Sequence, residues 1–293
     1  MNNEVDRGKL KLAIKRILRL FGWNLVRDSQ IRELWSSKDR LILATNQLER
    51  LRIFQDSALG SEMSLNYLSN FGDIKSQLLQ EVFVLSALEQ RKSGYFIEAG
   101  ASDGIDCSNT YLLEKGFGWS GLLIEPSESA FRRLVSNRSS HVFNAALWSE
   151  SNLNLHFTET NSPGLSTITS LKESDFLSQD RTVLKEYEVP TITLQDLLSK
   201  YNAPNEIDYL SLDTEGSEFE ILKNFDFSQY KFNIISVEHA WNERSRNSVI
   251  TLLKVHGYAQ IRAELTEYES WFVGPKVLEN LINRNLMSLI QSD

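Results

Sequence analysis

Carboxylates close four apolar runs in this chain. Glu98 follows Tyr95, Phe96 and Ile97, and Glu125 ends the run that finishes on Ile124. Asp213 and Glu215 follow Ile207 to Leu212, and Glu238 with His239 follows Ile234 to Val237. A carboxylate beside a histidine can take the proton of a reacting hydroxyl, and the same oxygen and nitrogen atoms can hold a divalent cation such as Mg2+. Asp213, Glu238 and His239 are therefore the candidate catalytic groups, and Asp213, Glu215, Glu238 and His239 the candidate metal ligands. Plainer readings compete: Asp213 and Glu215 as acids favoured by the dipole of the helix that begins near Ser217, and His239 as a satisfied, partly buried histidine.

These groups meet only if the runs that carry them are parallel strands sharing one rim. From Gly94 to Pro126 the chain reads as a strand, a glycine-rich turn over 98–104, a helix and a second apolar strand, which is half of a doubly wound sheet. Gly100 and Gly104 permit a tight turn and a close backbone approach to a ligand, and Glu125 can accept both hydroxyls of a ribose. The turn is not GxGxxG, which argues against a nicotinamide-dependent dehydrogenase. Acidic Glu98 and Asp103 beside it repel a pyrophosphate and attract a sulfonium or an amino group. S-adenosylmethionine carries both.

The alternation continues on both sides. Ser76 to Leu88 reads as an apolar helix covering one sheet face, and Ser127 to Val135 as a helix capped by Ser127. Val142 to Ala146 reads as a third strand. Leu153 to Phe157 alternates as an edge or hairpin strand does, which makes His156 a solvated strand residue rather than a catalyst. The polar stretch Thr158 to Glu188 has the length of a lid or an unstructured loop. Thr193 caps a helix through Lys200, and a helix is expected from Asn247 to His256. Tyr258 to Ala263 and Ser270 to Val273 look like an antiparallel finish. The pattern is that of an α/β protein with a doubly wound sheet.

Composition narrows the function classes. A formal net charge of −8 on 293 residues runs against the basic surface that phosphate binding needs, so the body of the protein is not expected to bind nucleic acid. The sole cysteine, Cys107, excludes an internal disulfide and a cysteine-rich zinc site, and reads as a small residue at the mouth of a helix. Neither a secretory signal nor an apolar run of membrane-spanning length is read, so a cytoplasmic location is expected. Residues 1–70 read as an N-terminal helical extension, 71–275 as the main domain and 276–293 as a C-terminal helical tail. In the extension, Leu10, Ile14, Ile17, Phe21 and Leu25 recur at helical spacing among Lys9, Lys11, Lys15, Arg16 and Arg19. Such a helix either lies on an anionic membrane surface, with Trp23 at the interface, or packs on the body or on a second copy. A further helical segment is expected between Ile31 and Asp56.

The stretch IEAGASDGIDCSNTYLLEKGFGWSGLLIEP, then FNAAL, VPTITLQDLL, IDYLSLDTEGSEFEIL, VEHAW and WFV, resembles the FkbM-type family of S-adenosylmethionine-dependent methyltransferases over roughly Ser76 to Val273. One departure is Gly-Ala-Ser where many relatives carry Gly-Ala-Asn or Gly-Ala-Thr. The resemblance implies a class I methyltransferase, Rossmann-like fold with a seven-stranded sheet, and O-methyl transfer to sugar or polyketide hydroxyls; of these a hydroxyl of a glycan or lipid-linked sugar is the expected acceptor here. It further implies that Glu98, Gly100, Ala101 and Gly104 line the methionine moiety, with Ser108 and Asn109 one turn further on. Glu125 would hold the ribose, and Asn144 and Ala145 would border the adenine. A non-catalytic interaction protein that keeps the cofactor fold is the alternative. The intact Asp213, Glu215, Glu238 and His239 favour the enzyme.

Overall fold

The computed structural model describes residues 44–54, 59–161, 165–171, 182–239 and 242–292. The basic helix expected at Lys9 to Val26 lies outside them, and so does most of the segment expected between Ile31 and Asp56, of which a helix at 44–54 (α1) is described. The chain divides into two compact units, Met1–Leu48 and Glu49–Asp293.

The second unit is framed by a seven-stranded sheet. In chain order the strands are β1 (Tyr95–Ala99), β2 (Ser120–Ile124), β3 (His141–Phe143), β8 (Glu206–Leu212), β9 (Lys231–Glu238), β10 (Ala259–Gln260) and β11 (Glu269–Val273). They lie side by side as β10-β11-β9-β8-β1-β2-β3. Pairing is parallel from β9 to β3, and β11 runs antiparallel between β9 and β10. The inner strands are apolar on both faces because helices cover both. One face carries Phe96, Tyr209, Ile234 and Trp271 in a core shared with α2 (Gly60–Ser69) and α3 (Gln80–Ala87). The other carries Ile97, Leu210, Ile235 and Phe272, packed with Leu197 and Leu198 of a helix over Leu194–Lys200 and with Val249 and Leu253 of a helix over Glu243–Val255.

The order reverses between β1 and β8: their neighbours lie in opposite directions in the sheet, and the two loops leaving their carboxyl ends open a crevice there. Gly100, at φ +80, fits that crevice because an added Cβ would lie 1.7 Å from the carbonyl oxygen of Asp213. Ser127 caps the helix over Glu128–Asn137 by accepting from the Ala130 N–H, and Thr193 caps the next helix through the Asp196 N–H.

Four regions differ from the sequence reading. The third strand is broken after Phe143, and the chain re-forms at Ala146–Leu147 (β4) in a second sheet. The Asn144 side-chain amide causes the break locally, donating to the carbonyls of Glu125 and Pro126 at 2.7 and 3.2 Å. The strand expected at Leu153 to Phe157 is present as Asn154–Thr160 (β5), and Thr167–Ile168 (β6) and Val183–Ile192 (β7), formed largely from the polar insertion, complete that second sheet with it in the order β4-β7-β5-β6. Threonines at 158, 160, 167 and 191 are buried there, so a composition that reads as loop is spent on sheet hydrogen bonding. Of the strand expected at Tyr258 to Ala263, Ala259–Gln260 pairs with β11 and Ile261 forms a single bridge to Ile290, while Ala263–Thr266 turns into a short helix. Finally, the compact unit passes both limits drawn at 71 and 275. Met63 and Tyr67 of α2 are buried in the core, as are Val277 and Leu281 of the helix over Pro275–Asn283, and Leu286 and Leu289 beyond it. Their burial comes from long-range contacts that helical periodicity alone does not locate.

Candidate active site

The cleft at the reversal point encloses about 560 Å³, part of it open to solvent. Its polar lining includes Gly100, Ser102, Glu125, Ser166, Asp213, Thr214, Glu215 and Ser217, and its apolar lining includes Ile124, Ala145, Leu147, Phe157 and Ile168.

Glu125 is 5% exposed, and its two carboxylate oxygens are each fixed by one backbone donor, Ser102 N–H and Ser127 N–H, both at 2.7 Å. One donor comes from the glycine-rich turn after β1 and the other from the cap of the following helix. Each oxygen keeps a lone pair for a further donor. Burial pushes this carboxyl up to about 7, against the pull of the Ser127 and Ser102 N–H groups. A ribose, which brings two hydroxyl donors, suits such a group.

Glu98 takes another role. Its oxygens accept from the Asn109 N–H, the Ser108 and Thr110 hydroxyls and, at 3.5 Å, Arg138. The carboxylate is saturated by the 108–110 loop and lies outside the cleft lining. Ala101, Gly104, Ser108, Asn109 and Asn144 also stand outside it. An added Cβ at Gly104 would meet Leu134 and Arg138 at 2.6 Å, which makes that glycine a packing requirement. Of the cofactor-site residues expected from sequence, the cleft collects Gly100, Glu125 and Ala145.

Arg138 is the residue the sequence reading missed in this region. Its side chain is wholly buried, and its guanidinium donates to Glu114, to the Gly104 and Thr110 carbonyls and to the Ser108 and Thr110 hydroxyls. Nothing local in the chain marks it, because an arginine just past an amphipathic helix usually reads as surface.

On the rim, Ser211 pairs with Ser236 and Leu212 with Val237, so Asp213 and Glu238 come level at the ends of adjacent strands. Glu238 in turn faces Glu269 across the antiparallel pair. Burial, then Glu215, Glu269, Glu218 and Glu98, raise the Asp213 carboxyl well above its usual range. Burial, with Asp213 first among the neighbouring charges, pushes Glu238 up to about 11. Two carboxyls so placed cannot both ionise without a compensating positive charge.

The metal set expected from sequence does not assemble. Among the described residues no three His, Cys, Asp or Glu side chains converge as a metal ion requires. Asp213 and Glu215 border the cleft, whereas Glu238 and His239 are buried away from it. His239 follows the end of β9 with its N–H donating to the Tyr268 carbonyl, and its ring is buried beside the Glu269 backbone. Burial lowers its imidazole to about 4, so it is neutral and a weak base at pH 7.

A parallel sheet of this order, closed by an antiparallel strand and opened at its reversal point by a glycine turn beside a buried carboxylate, has the class I methyltransferase fold. Within that class the chain belongs to the family described as the methyltransferase FkbM domain, which matches residues 98–269. No curated protein matches it. Among solved structures it is similar to methyltransferase FkbM from Methylobacillus flagellatus at 12% identity and a TM-score of 0.41, over 73% of this chain and 61% of that one. It is also similar to the N-terminal domain of human METTL16 in complex with SAH, at 15% identity and a TM-score of 0.39, over 80% and 92%. A third is the plantazolicin methyltransferase BpumL in complex with SAH, at 10% identity and a TM-score of 0.34, over 81% and 98%.

Proposed function

We propose that this protein is an S-adenosylmethionine-dependent O-methyltransferase acting on a hydroxyl of a sugar or glycan. The observation that carries the cofactor reading is the Glu125 carboxylate, buried between the Ser102 and Ser127 N–H groups and facing a cleft floored by Gly100. Glu125 would hold the ribose hydroxyls, Ile124, Ala145 and Leu147 the base, and the turn around Gly100 and Ser102 the amino-acid end. When bound, the cofactor supplies a methyl group on a cationic sulfur.

The chain's own part in the chemistry falls to Asp213. It borders the cleft, and its carboxyl shares a buried, mutually repelling environment with Glu238. Positive charge entering the cleft favours ionisation of Asp213, which then accepts the proton of the acceptor hydroxyl, with Glu238 behind it keeping its affinity for that proton high. Glu215 at the same wall would hydrogen-bond neighbouring hydroxyls of a polyol acceptor. Among the described residues no helix is long and apolar enough to cross a membrane. The basic segment Lys9 to Val26 would bring a cytoplasmic enzyme to a lipid-linked sugar at the membrane, or pair two copies.

The test is turnover by Asp213→Asn against a panel of glycans with methyl-labelled cofactor. Activity should fall by orders of magnitude, about 10² to 10⁴ for a lost general base, while adenosylhomocysteine affinity stays near wild type. Near wild-type turnover would return Asp213 to the role of an acid at the start of a helix.

A further inference from the structure

The apolar side of the cleft is not built by the main sheet alone. Phe157 and Ile168, both in the lining, belong to the insertion sheet, where Phe157 pairs with Ile168 across β5 and β6 and with Tyr187 across β5 and β7. Phe157 is 2% exposed, and the Tyr187 ring meets it edge-on at 5.8 Å. Two residues along the same strand face, Glu159 is 3% exposed. Its carboxylate accepts from the Ser129 hydroxyl and, at 2.7 Å, from the Tyr187 hydroxyl, with Lys185 at 3.5 Å. The Tyr187 oxygen also accepts from the Glu128 N–H at 3.0 Å.

Ser129 and Glu128 open the helix over Glu128–Asn137, whose cap, Ser127, donates its N–H to Glu125. A latch of Ser129, Glu159 and Tyr187 therefore ties the insertion sheet to the segment that aims the Glu125 carboxylate. A second tie runs from the Thr167 hydroxyl to the Glu215 carbonyl at 2.8 Å.

We propose that Phe157 is the outer wall of the adenine subsite and that Glu159 and Tyr187 are positioning residues for it, holding wall and ribose carboxylate in one register. This role rests on the adenosylmethionine reading and deepens it. The base belongs on this side because Phe157 and Ile168 pack with Ala146, between the Ala145 and Leu147 assigned to the base, and line the same cleft as Glu125. A planar base gains most from an apolar, aromatic surface whose edge is fixed, and a polar pair bridging two elements fixes it at the cost of only two side-chain rotamers.

The test uses the full chain, titrated calorimetrically with adenosylhomocysteine and with 5′-methylthioadenosine, which keeps base and ribose but lacks the amino-acid end. Tyr187→Phe preserves the ring against Phe157 and removes both hydrogen bonds, and Phe157→Leu preserves an apolar fill and removes the flat surface. Each should weaken both ligands by a similar factor of about 5 to 30, since base and ribose are common to both. Melting curves report folding separately, and Glu159→Gln, which still accepts from one hydroxyl, should fall between wild type and Tyr187→Phe. Unchanged affinity in both variants, or a loss confined to adenosylhomocysteine, overturns the proposal and leaves the cofactor reading standing. Wild type that binds neither ligand overturns both.

Discussion

Glu125 offers the most exacting check on the site, because its protonation state and its function are coupled. Ribose hydroxyls donate, so only the ionised carboxylate accepts from both. Burial raises this carboxyl to about 7 in the free protein. The ionised fraction is then about one half at pH 7 and about one tenth at pH 6, so adenosylhomocysteine affinity should drop about fivefold between pH 7 and pH 6 and close to tenfold, or about 1.4 kcal/mol, for each unit below that. The sign is that of an acid whose pKa is lowered by its ligand: binding is full on the alkaline side and is lost as pH falls. Calorimetry from pH 5.5 to 8.5 in buffers of differing ionisation enthalpy should show net proton release on binding near neutrality. In Glu125→Gln the ligand keeps one acceptor, one of the Ser102 and Ser127 N–H groups loses its own, and affinity at pH 8 should fall by about 1.5 to 3 kcal/mol. The decisive feature is the slope: the variant's affinity should be flat through the same range. A wild-type affinity independent of pH, or a slope that survives in Glu125→Gln, would refute the assignment.

Two further perturbations address the frame. Gly100→Ala puts a methyl 1.7 Å from the Asp213 carbonyl at a φ of +80, so the crevice must widen; adenosylhomocysteine binding should disappear, and retained wild-type affinity would show that the turn does not floor the ligand site. Arg138→Met leaves Glu98 buried without its cation and Glu114 with Lys115 alone, and chemical denaturation should report a loss of about 3 to 5 kcal/mol, whereas a loss below about 1 kcal/mol would mean that the loop hydrogen bonds and Lys115 satisfy the two carboxylates.

The parallel frame and the polar ends of its strands are written in the order of residues along the chain. Strands buried on both faces are largely apolar, and a carboxylate falls at or beside the carboxyl end of each, so β1, β2, β8 and β9 and the residues Glu98, Glu125, Asp213 and Glu238 are legible from sequence. Gly100 is legible for a similar reason, since only glycine tolerates its backbone. Which of those carboxylates faces the cleft is not a local property. Glu98 and Glu125 both follow apolar runs, yet Glu98 is taken up by the 108–110 loop and Arg138, and only Glu125 is left with lone pairs toward the ligand space. The metal set failed in the same way: Asp213 and Glu238 come level on adjacent strands, but strand geometry sends His239 into the protein, where burial lowers its affinity for protons. The insertion was least legible. Its threonines and charges read as loop because sheet propensity depends on what each face meets, and only the folded chain shows Glu159 meeting Tyr187 and Ser129 while Phe157 turns into the cleft.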